Sequence, residues 1–226
     1  MAFAGFPREG LAFLADLARN NERAWFHAHR EEYDAYVLEP ARDLVEALGE
    51  ELARFAPDVH AEPTVGGSIM RIARDTRFSK NKTPYKPHLD LWFWEGDGPS
   101  RTQPGYWFRL TPKRLLLGVG MHRFEREVLE RYREAVVDPK RGQALAKAVA
   151  AVERAGGDVG GANYKRVPRG YDTEHERAPL LLHDGLYAGL ELPVPRELPT
   201  PRFAKFCAER YKRFTPLQEW LVDLLT

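Results

Sequence analysis

The spacing of apolar residues changes twice along the 226-residue chain, and this change limits the fold more than any other feature. Apolar side chains recur at the three- and four-residue spacing of amphipathic helices over residues 10–20 and again over residues 25–55. Residues 68–122 instead carry short runs of aromatic, leucine and β-branched residues, which predict strands. Helical spacing returns from Glu125 onwards. The pattern therefore predicts an α+β fold.

The middle of the chain supplies most of the predicted strands, and a further one follows later. They are Ser68–Arg74, His88–Glu95, Gly105–Leu110, Arg114–His122 and Leu186–Leu192. Short connections such as the turn at Pro112 favour antiparallel pairing, because parallel strands need long crossovers. We expect an antiparallel sheet of about four to five strands packed against N-terminal, central and C-terminal helices. No long linker divides the chain, so a single domain is expected over residues 1–226.

Three local signals refine the helices and loops. Pro40 has no backbone N–H and its ring clashes with the preceding turn, so a kink or a helix boundary is expected near Glu39. Thr215-Pro216 predicts a break in the closing helix for the same reason. The glycine-rich residues 156–161 predict a flexible loop.

Composition excludes several classes of protein. The formal net charge of +1 argues against nucleic-acid binding through overall charge. The single cysteine, Cys207, allows no intramolecular disulfide. The first ten residues do not read as a signal peptide, and no apolar run approaches the roughly 18 residues of a membrane span. By elimination we expect a cytoplasmic protein without membrane contact. No glycine pattern fits a nucleotide fingerprint, so we expect no cofactor, and the oligomeric state stays open.

The segment Arg71–Lys86 concentrates positive charge, with six basic residues against one acid, Asp75. Two like charges about 4 Å apart repel by roughly 4 kcal/mol at an effective dielectric constant of 20. Such a cluster therefore needs carboxylates of the protein, an exposed and spread-out arrangement, or an anionic ligand. Pro84 and Pro87 favour extended conformations in the residues before them, so an ordered loop is expected there.

Three roles for this segment stay open on the sequence. It could bind a small anion, because arginine offers paired donors to phosphate and carboxylate groups. The residues of that site would be Arg71, Arg74, Asp75, Arg77, Lys82, Tyr85, Lys86 and His88. Alternatively, its arginines could form internal ion pairs that hold helix to sheet. A nucleic-acid-binding module, with Phe78 and Tyr85 stacking on bases, is the third hypothesis. Whether the chain is an enzyme also stays open, since no nucleophile–base pair singles out a reaction.

The same segment carries a resemblance to a known family. The run Arg71-x-x-Arg74-Asp75-x-Arg77-Phe78, followed by Asn81-Lys82-x-x-Tyr85-Lys86, resembles a widespread conserved family of bacterial and fungal proteins of unknown function. Asn20-Asn21 with Trp25-Phe26, and Gly105–Phe108 followed by Leu117–Gly120, look like the same family. The resemblance spans nearly the whole chain. It implies an α+β domain and implies no activity.

Two further groups of polar residues could carry chemistry. His88 and Asp90 would share a strand face, and His122 could complete a metal site with them. A loop could supply acid–base catalysis through His175 with Asp172 or Glu174. Both patterns are more typical of hydrogen-bonded strand and loop residues, so neither metal binding nor catalysis is expected from them.

Overall fold

The computed structural model describes residues 3–226 and has the α+β architecture that the sequence predicts. The α-helices in those residues are α1 (Arg8–Arg19), α2 (Arg23–Ala28), α3 (Arg30–Tyr33), α4 (Glu39–Leu52), α5 (Arg126–Val137), α6 (Pro139–Arg154), α7 (Phe203–Tyr211) and α8 (Thr215–Leu225). The strands are β1 (Val59–His60), β2 (Leu89–Glu95), β3 (Gly105–Leu110), β4 (Arg114–Met121), β5 (Asp158–Ala162) and β6 (His183–Pro193). No helix within residues 3–226 is both long and apolar enough to cross a membrane.

The strands form an antiparallel sheet in the order β1-β2-β3-β4-β6-β5. The bounds of β2, β3 and β4 match the predicted strands to within one residue, and β6 contains the last predicted strand. Alternation explains this agreement, because successive side chains of a strand point to opposite faces. In β2, Leu89, Leu91 and Phe93 are buried, whereas Asp90 and Trp92 between them are half-buried.

The sheet also contains two strands that the sequence analysis missed. β1 is only two residues long, and β5 lies in the glycine run that predicted a flexible loop. Val159 of β5 pairs with Ala188 of β6. Glycine allows the two strands to approach, because Gly161 has a φ of +108° and a Cβ there would overlap the backbone of Gly185.

The predicted strand Ser68–Arg74 is wrong. This segment contributes isolated bridges from Ile69 and Ala73 and no continuous strand. Its first residues close a compact turn instead. The backbone N–H of Ser68 donates to the carbonyl of Glu62, and the Ser68 hydroxyl accepts the Glu62 N–H. The backbone N–H of Ser68 is therefore used within the turn and is not free to pair with a neighbouring strand.

Both proline signals are confirmed. α4 begins at Glu39, directly before Pro40, and follows a π-helical turn over Asp34–Leu38. A 3₁₀ turn over Lys212–Phe214 separates α7 from α8, whose second residue is Pro216. Pro216 lies in the first turn of α8, where its missing N–H costs no intrahelical hydrogen bond. Pro40 follows the π-helical turn, so the regular α-helical hydrogen-bond pattern is interrupted directly before it.

The chain divides into two compact units built from alternating segments. Unit 1 comprises the residues up to Phe93, Trp107–Leu117 and Glu191–Glu209, and unit 2 comprises Trp94–Tyr106, Gly118–Leu190 and Arg210–Thr226. In unit 1 the rings of Phe13 on α1 and Phe26 on α2 meet 6.3 Å apart. In unit 2 Tyr132 on α5 meets Trp220 on α8 edge to face at 5.9 Å. The single-domain organisation stays a prediction.

Candidate functional site

Residues 71–86 form a short hairpin, which we call the basic hairpin. Its two arms are joined by backbone hydrogen bonds 2.8 Å long, donated by Arg74 and Lys86 to the opposite arm. Ala73 and Tyr85 form an antiparallel bridge between them. Because side chains alternate across such a ribbon, Arg74 and Lys86 leave it on the side opposite to Tyr85.

The inner side of the basic hairpin is fastened to the N-terminal region through Tyr85. The side chain of Asn21 donates from Nδ2 to the Tyr85 carbonyl and accepts the Tyr85 N–H at Oδ1, each over 3.0 Å. The Tyr85 ring is 8% exposed and stacks on Phe26, with 4.2 Å between ring centroids. The Asn21 amide thus satisfies both backbone groups of Tyr85, as a neighbouring β-strand would. The ring faces the interior and does not line the exposed surface.

The outer loop of the hairpin, residues 75–83, is ordered by its own polar groups. The Asp75 carboxylate accepts hydrogen bonds from the side chain and the backbone N–H of Arg77, and these bonds lower the pKa of Asp75. Lys82 donates from Nζ to the carbonyl of Thr76 over 2.9 Å. The loop therefore has a defined shape although much of it is exposed.

Arg74 is fixed in place without being neutralised. Its Nη1 donates to the Thr83 hydroxyl over 2.6 Å, and its Nη2 donates to the Ser79 hydroxyl over 3.4 Å. The residue is half-buried, and no ion pair joins it to a carboxylate within residues 3–226. Two neutral hydroxyls thus set the position of the guanidinium, and its charge is not offset by a carboxylate in an ion pair within residues 3–226.

Asp90 on β2 faces the basic side chains beside the hairpin. Arg109 on β3 donates from Nε and Nη2 to the two carboxylate oxygens of Asp90, over 2.6 and 3.1 Å. The Lys86 ammonium lies 3.6 Å from the same carboxylate, and Nε2 of His88 lies 3.3 Å from it. Nε2 of His88 is covered by its surroundings and lacks the geometry of a hydrogen bond. One carboxylate therefore meets three basic side chains.

Burial and charge act in opposite directions on Asp90. Its side chain is 14% exposed, and burial alone would raise its pKa. The contacts with His88 and Arg109 outweigh burial and lower the pKa of Asp90 to about 2. Asp90 is therefore ionised at neutral pH and balances one of the positive charges around it.

Lys86 connects this cluster to the hairpin. It leaves the ribbon on the same side as Arg74 and reaches Asp90 with its ammonium group. We call the resulting set of basic side chains the basic face, and it consists of Arg74, Lys86, His88 and Arg109. This surface carries more basic side chains than carboxylates.

The residues that hold the basic hairpin are among those that carry the family resemblance, including Asn21, Phe26 and Tyr85. A family model matches residues 9–220 of the chain. The chain belongs to the DUF2461 family of conserved hypothetical proteins. The match confirms the family resemblance and includes the whole basic hairpin and the basic face. The description of the DUF2461 family names no activity. No curated protein matches the chain.

In this DUF2461 chain the predicted site residues separate into groups. Those on the basic face are Arg74, Lys86 and His88. Those that order the outer loop are Asp75, Arg77 and Lys82. Arg71 is exposed and makes no hydrogen bond within residues 3–226. Hydrogen bonds from Arg77 are the main cause of the lowered pKa of Asp75, and the charge of Arg71 adds a smaller effect in the same direction. Tyr85 is separated from all of these because it faces inward.

The sequence analysis treats Asp90 as a candidate metal ligand and omits Arg109, although both belong to this site. A signal for Arg109 was present. It is the one charged residue in the otherwise apolar and aromatic strand Gly105–Leu110. A charge at an alternating position of a half-buried strand indicates a partner on the adjacent strand.

The other polar candidates make local contacts. No group of three or more side chains able to ligate a metal occurs within residues 3–226. His122 is exposed just beyond β4. His175 accepts the backbone N–H of Arg177 at Nδ1, and Asp172 accepts that of Glu174. These bonds shape the loop and leave His175 and Asp172 each bonded to the backbone.

Proposed function

We propose that the chain binds a small anionic ligand, bearing a phosphate or carboxylate group, on the basic face. The observation that carries this proposal is the Arg74 guanidinium, which two hydroxyls hold and which no carboxylate neutralises within residues 3–226. A cation ordered before the ligand arrives loses less conformational entropy on binding. The planar donors of arginine also match the oxygens of phosphate and carboxylate groups.

The charge balance around Asp90 supports the same proposal. Lys86 and Arg109 share the single carboxylate of Asp90, so the basic face is positive even when His88 is neutral. In a partly buried setting these charges act on a ligand more strongly than they would in water. Nε2 of His88 is covered by its surroundings, so this atom is not open to a ligand.

Internal ion pairs account for part of the positive charge. Arg77 pairs with Asp75 over 2.7 Å, and Lys86 lies near Asp90. A segment whose arginines served only to hold the structure together would give Arg74 a carboxylate partner as well. Arg74 meets hydroxyls instead, which is why ligand binding is assigned to it and a structural role to Arg77.

A thermal-shift titration with inorganic pyrophosphate and with citrate tests the proposal. Each anion should raise the melting temperature saturably, because a ligand that binds only the folded state stabilises it. Replacing Arg74 by alanine should weaken binding roughly 10- to 100-fold, as expected for the loss of a charge-assisted hydrogen bond. Arg74→Lys keeps the positive charge but loses the planar donors, so its affinity should lie between that of Arg74→Ala and that of the unaltered chain.

Arg126→Ala is the matched control, because it removes a highly exposed arginine from α5 and should leave the affinity unchanged. Sodium chloride at equal ionic strength separates specific binding from a general salt effect. Equal affinities of Arg74→Ala and the unaltered chain would contradict the proposal, as would the absence of a saturable shift with both anions.

A further inference from the structure

Phe78, at the tip of the basic hairpin, is the most exposed large apolar side chain within residues 3–226. It is 96% exposed, compared with 45% for Val65 and 39% for Tyr36 and Tyr164. A ring in this position adds nothing to the core. A single exposed apolar side chain is common on protein surfaces, so the groups around Phe78 must indicate whether it has a partner.

Those surroundings are basic and polar. The Arg77 guanidinium lies 5.9 Å from the centre of the Phe78 ring. Lys80 is exposed close by, and Arg71 is exposed at the start of the hairpin. Phe78 is the one large apolar residue in the loop 75–83. Membrane insertion needs a broader apolar surface, whereas a nucleic-acid base can stack on a single ring beside cations.

The loop that carries Phe78 is ordered from both ends. Arg77 is bound to Asp75, and Lys82 is bound to the carbonyl of Thr76. Asn81 Oδ1 accepts both the N–H and the hydroxyl of Thr83. Because the loop is held in this way, Phe78 can meet a partner with little loss of backbone entropy.

We infer that the basic hairpin binds single-stranded nucleic acid, with Phe78 stacked on an unpaired base and the basic face contacting the neighbouring phosphates. This inference rests on the proposed anion-binding function, since the phosphates use the same cations. Bases within a duplex are covered by their neighbours, so a projecting ring selects unpaired bases. The formal net charge of +1 limits the contact to a few phosphates. Tyr85 faces the interior, so the stacking expected of both rings falls to Phe78.

Fluorescence anisotropy with a labelled oligothymidylate of about 12 nucleotides tests this inference. The single strand should bind more tightly than a duplex of the same length. Phe78→Ala should weaken binding at least about fivefold, whereas Phe78→Trp should keep or strengthen it. The logarithm of the affinity should fall with the logarithm of salt concentration with a slope of about −2 to −3, for three or four phosphates.

Tyr164→Ala, which removes another exposed aromatic ring, is the control and should bind as the unaltered chain does. Equal affinities of Phe78→Ala and the unaltered chain, or a duplex bound as tightly as the single strand, would overturn the inference. Binding to phosphatidylserine vesicles but not to the oligonucleotide would also overturn it. If pyrophosphate binds in an Arg74-dependent way while the oligonucleotide does not, this inference fails and the proposed function stands. If neither pyrophosphate nor the oligonucleotide binds, both the proposed function and this inference are wrong.

Discussion

Replacing Asn21 by alanine should lower the free energy of unfolding by about 2–3 kcal/mol, because the Tyr85 N–H and carbonyl both lose their partner. Tyr85 is buried against Phe26, so water cannot easily replace the lost amide. The same change should weaken pyrophosphate binding, since Arg74 lies on the arm of the hairpin that pairs with the arm of Tyr85. Urea unfolding measures the first effect, and the thermal-shift titration measures the second.

The preceding residue offers a matched control. The Asn20 side chain donates to the carbonyl of Asp16 at the exposed end of α1, so Asn20→Ala should cost only a few tenths of a kcal/mol. Hydrogen exchange at the Tyr85 amide should accelerate in Asn21→Ala and stay slow in Asn20→Ala. Equal stability losses in the two variants would show that Asn21 does not fasten the hairpin.

Helices and strands that bury one regularly spaced set of apolar side chains could be predicted from the sequence. Helices α5 and α6 follow from one apolar stripe each, and β2, β3 and β4 follow from alternation. The boundary before Pro40 follows from the missing N–H of proline. In each of these cases the signal lies within a few neighbouring residues.

The elements that depend on distant partners could not be predicted. β5 forms because its glycines let it lie against β6, and a glycine run by itself predicts only a loop. The inward position of Tyr85 depends on Asn21, 64 positions earlier. The place of Arg109 in the site depends on the pairing of β2 with β3, which brings it to Asp90. The sequence therefore predicts where the basic hairpin lies in the chain, but it does not predict which side of the hairpin is exposed to solvent.

Asp90 connects the stability of the site to its proposed function. Its carboxylate offsets part of the positive charge of Lys86 and Arg109, and an anionic ligand would compete for the same cations. Removing that carboxylate should therefore have opposite effects on folding and on binding. A residue with a purely structural role would affect both in the same direction, because weaker folding would also disturb the site.

Asp90→Asn should lower the free energy of unfolding by about 2 kcal/mol at pH 7, which corresponds to a pKa lowered from 3.8 to about 2. Because the folded-state pKa is depressed, the contribution of Asp90 is fully present above pH 4 to 5. It is lost as the pH falls through about 2. The stability deficit of the variant should therefore shrink to roughly half at pH 3. Urea unfolding over a pH series measures it.

The same substitution should strengthen pyrophosphate binding several-fold, because Lys86 and Arg109 no longer share their charge with a carboxylate. Asp75→Asn is the control. Its carboxylate pairs with Arg77 at an exposed position, so its loss should lower the free energy of unfolding far less than the loss of the Asp90 carboxylate does. If Asp90→Asn lost stability and affinity together, Asp90 would be positioning the cations and not competing with a ligand. Asp90→Asn should bind pyrophosphate more tightly while being less stable only if the cations of the basic face bind an external anion.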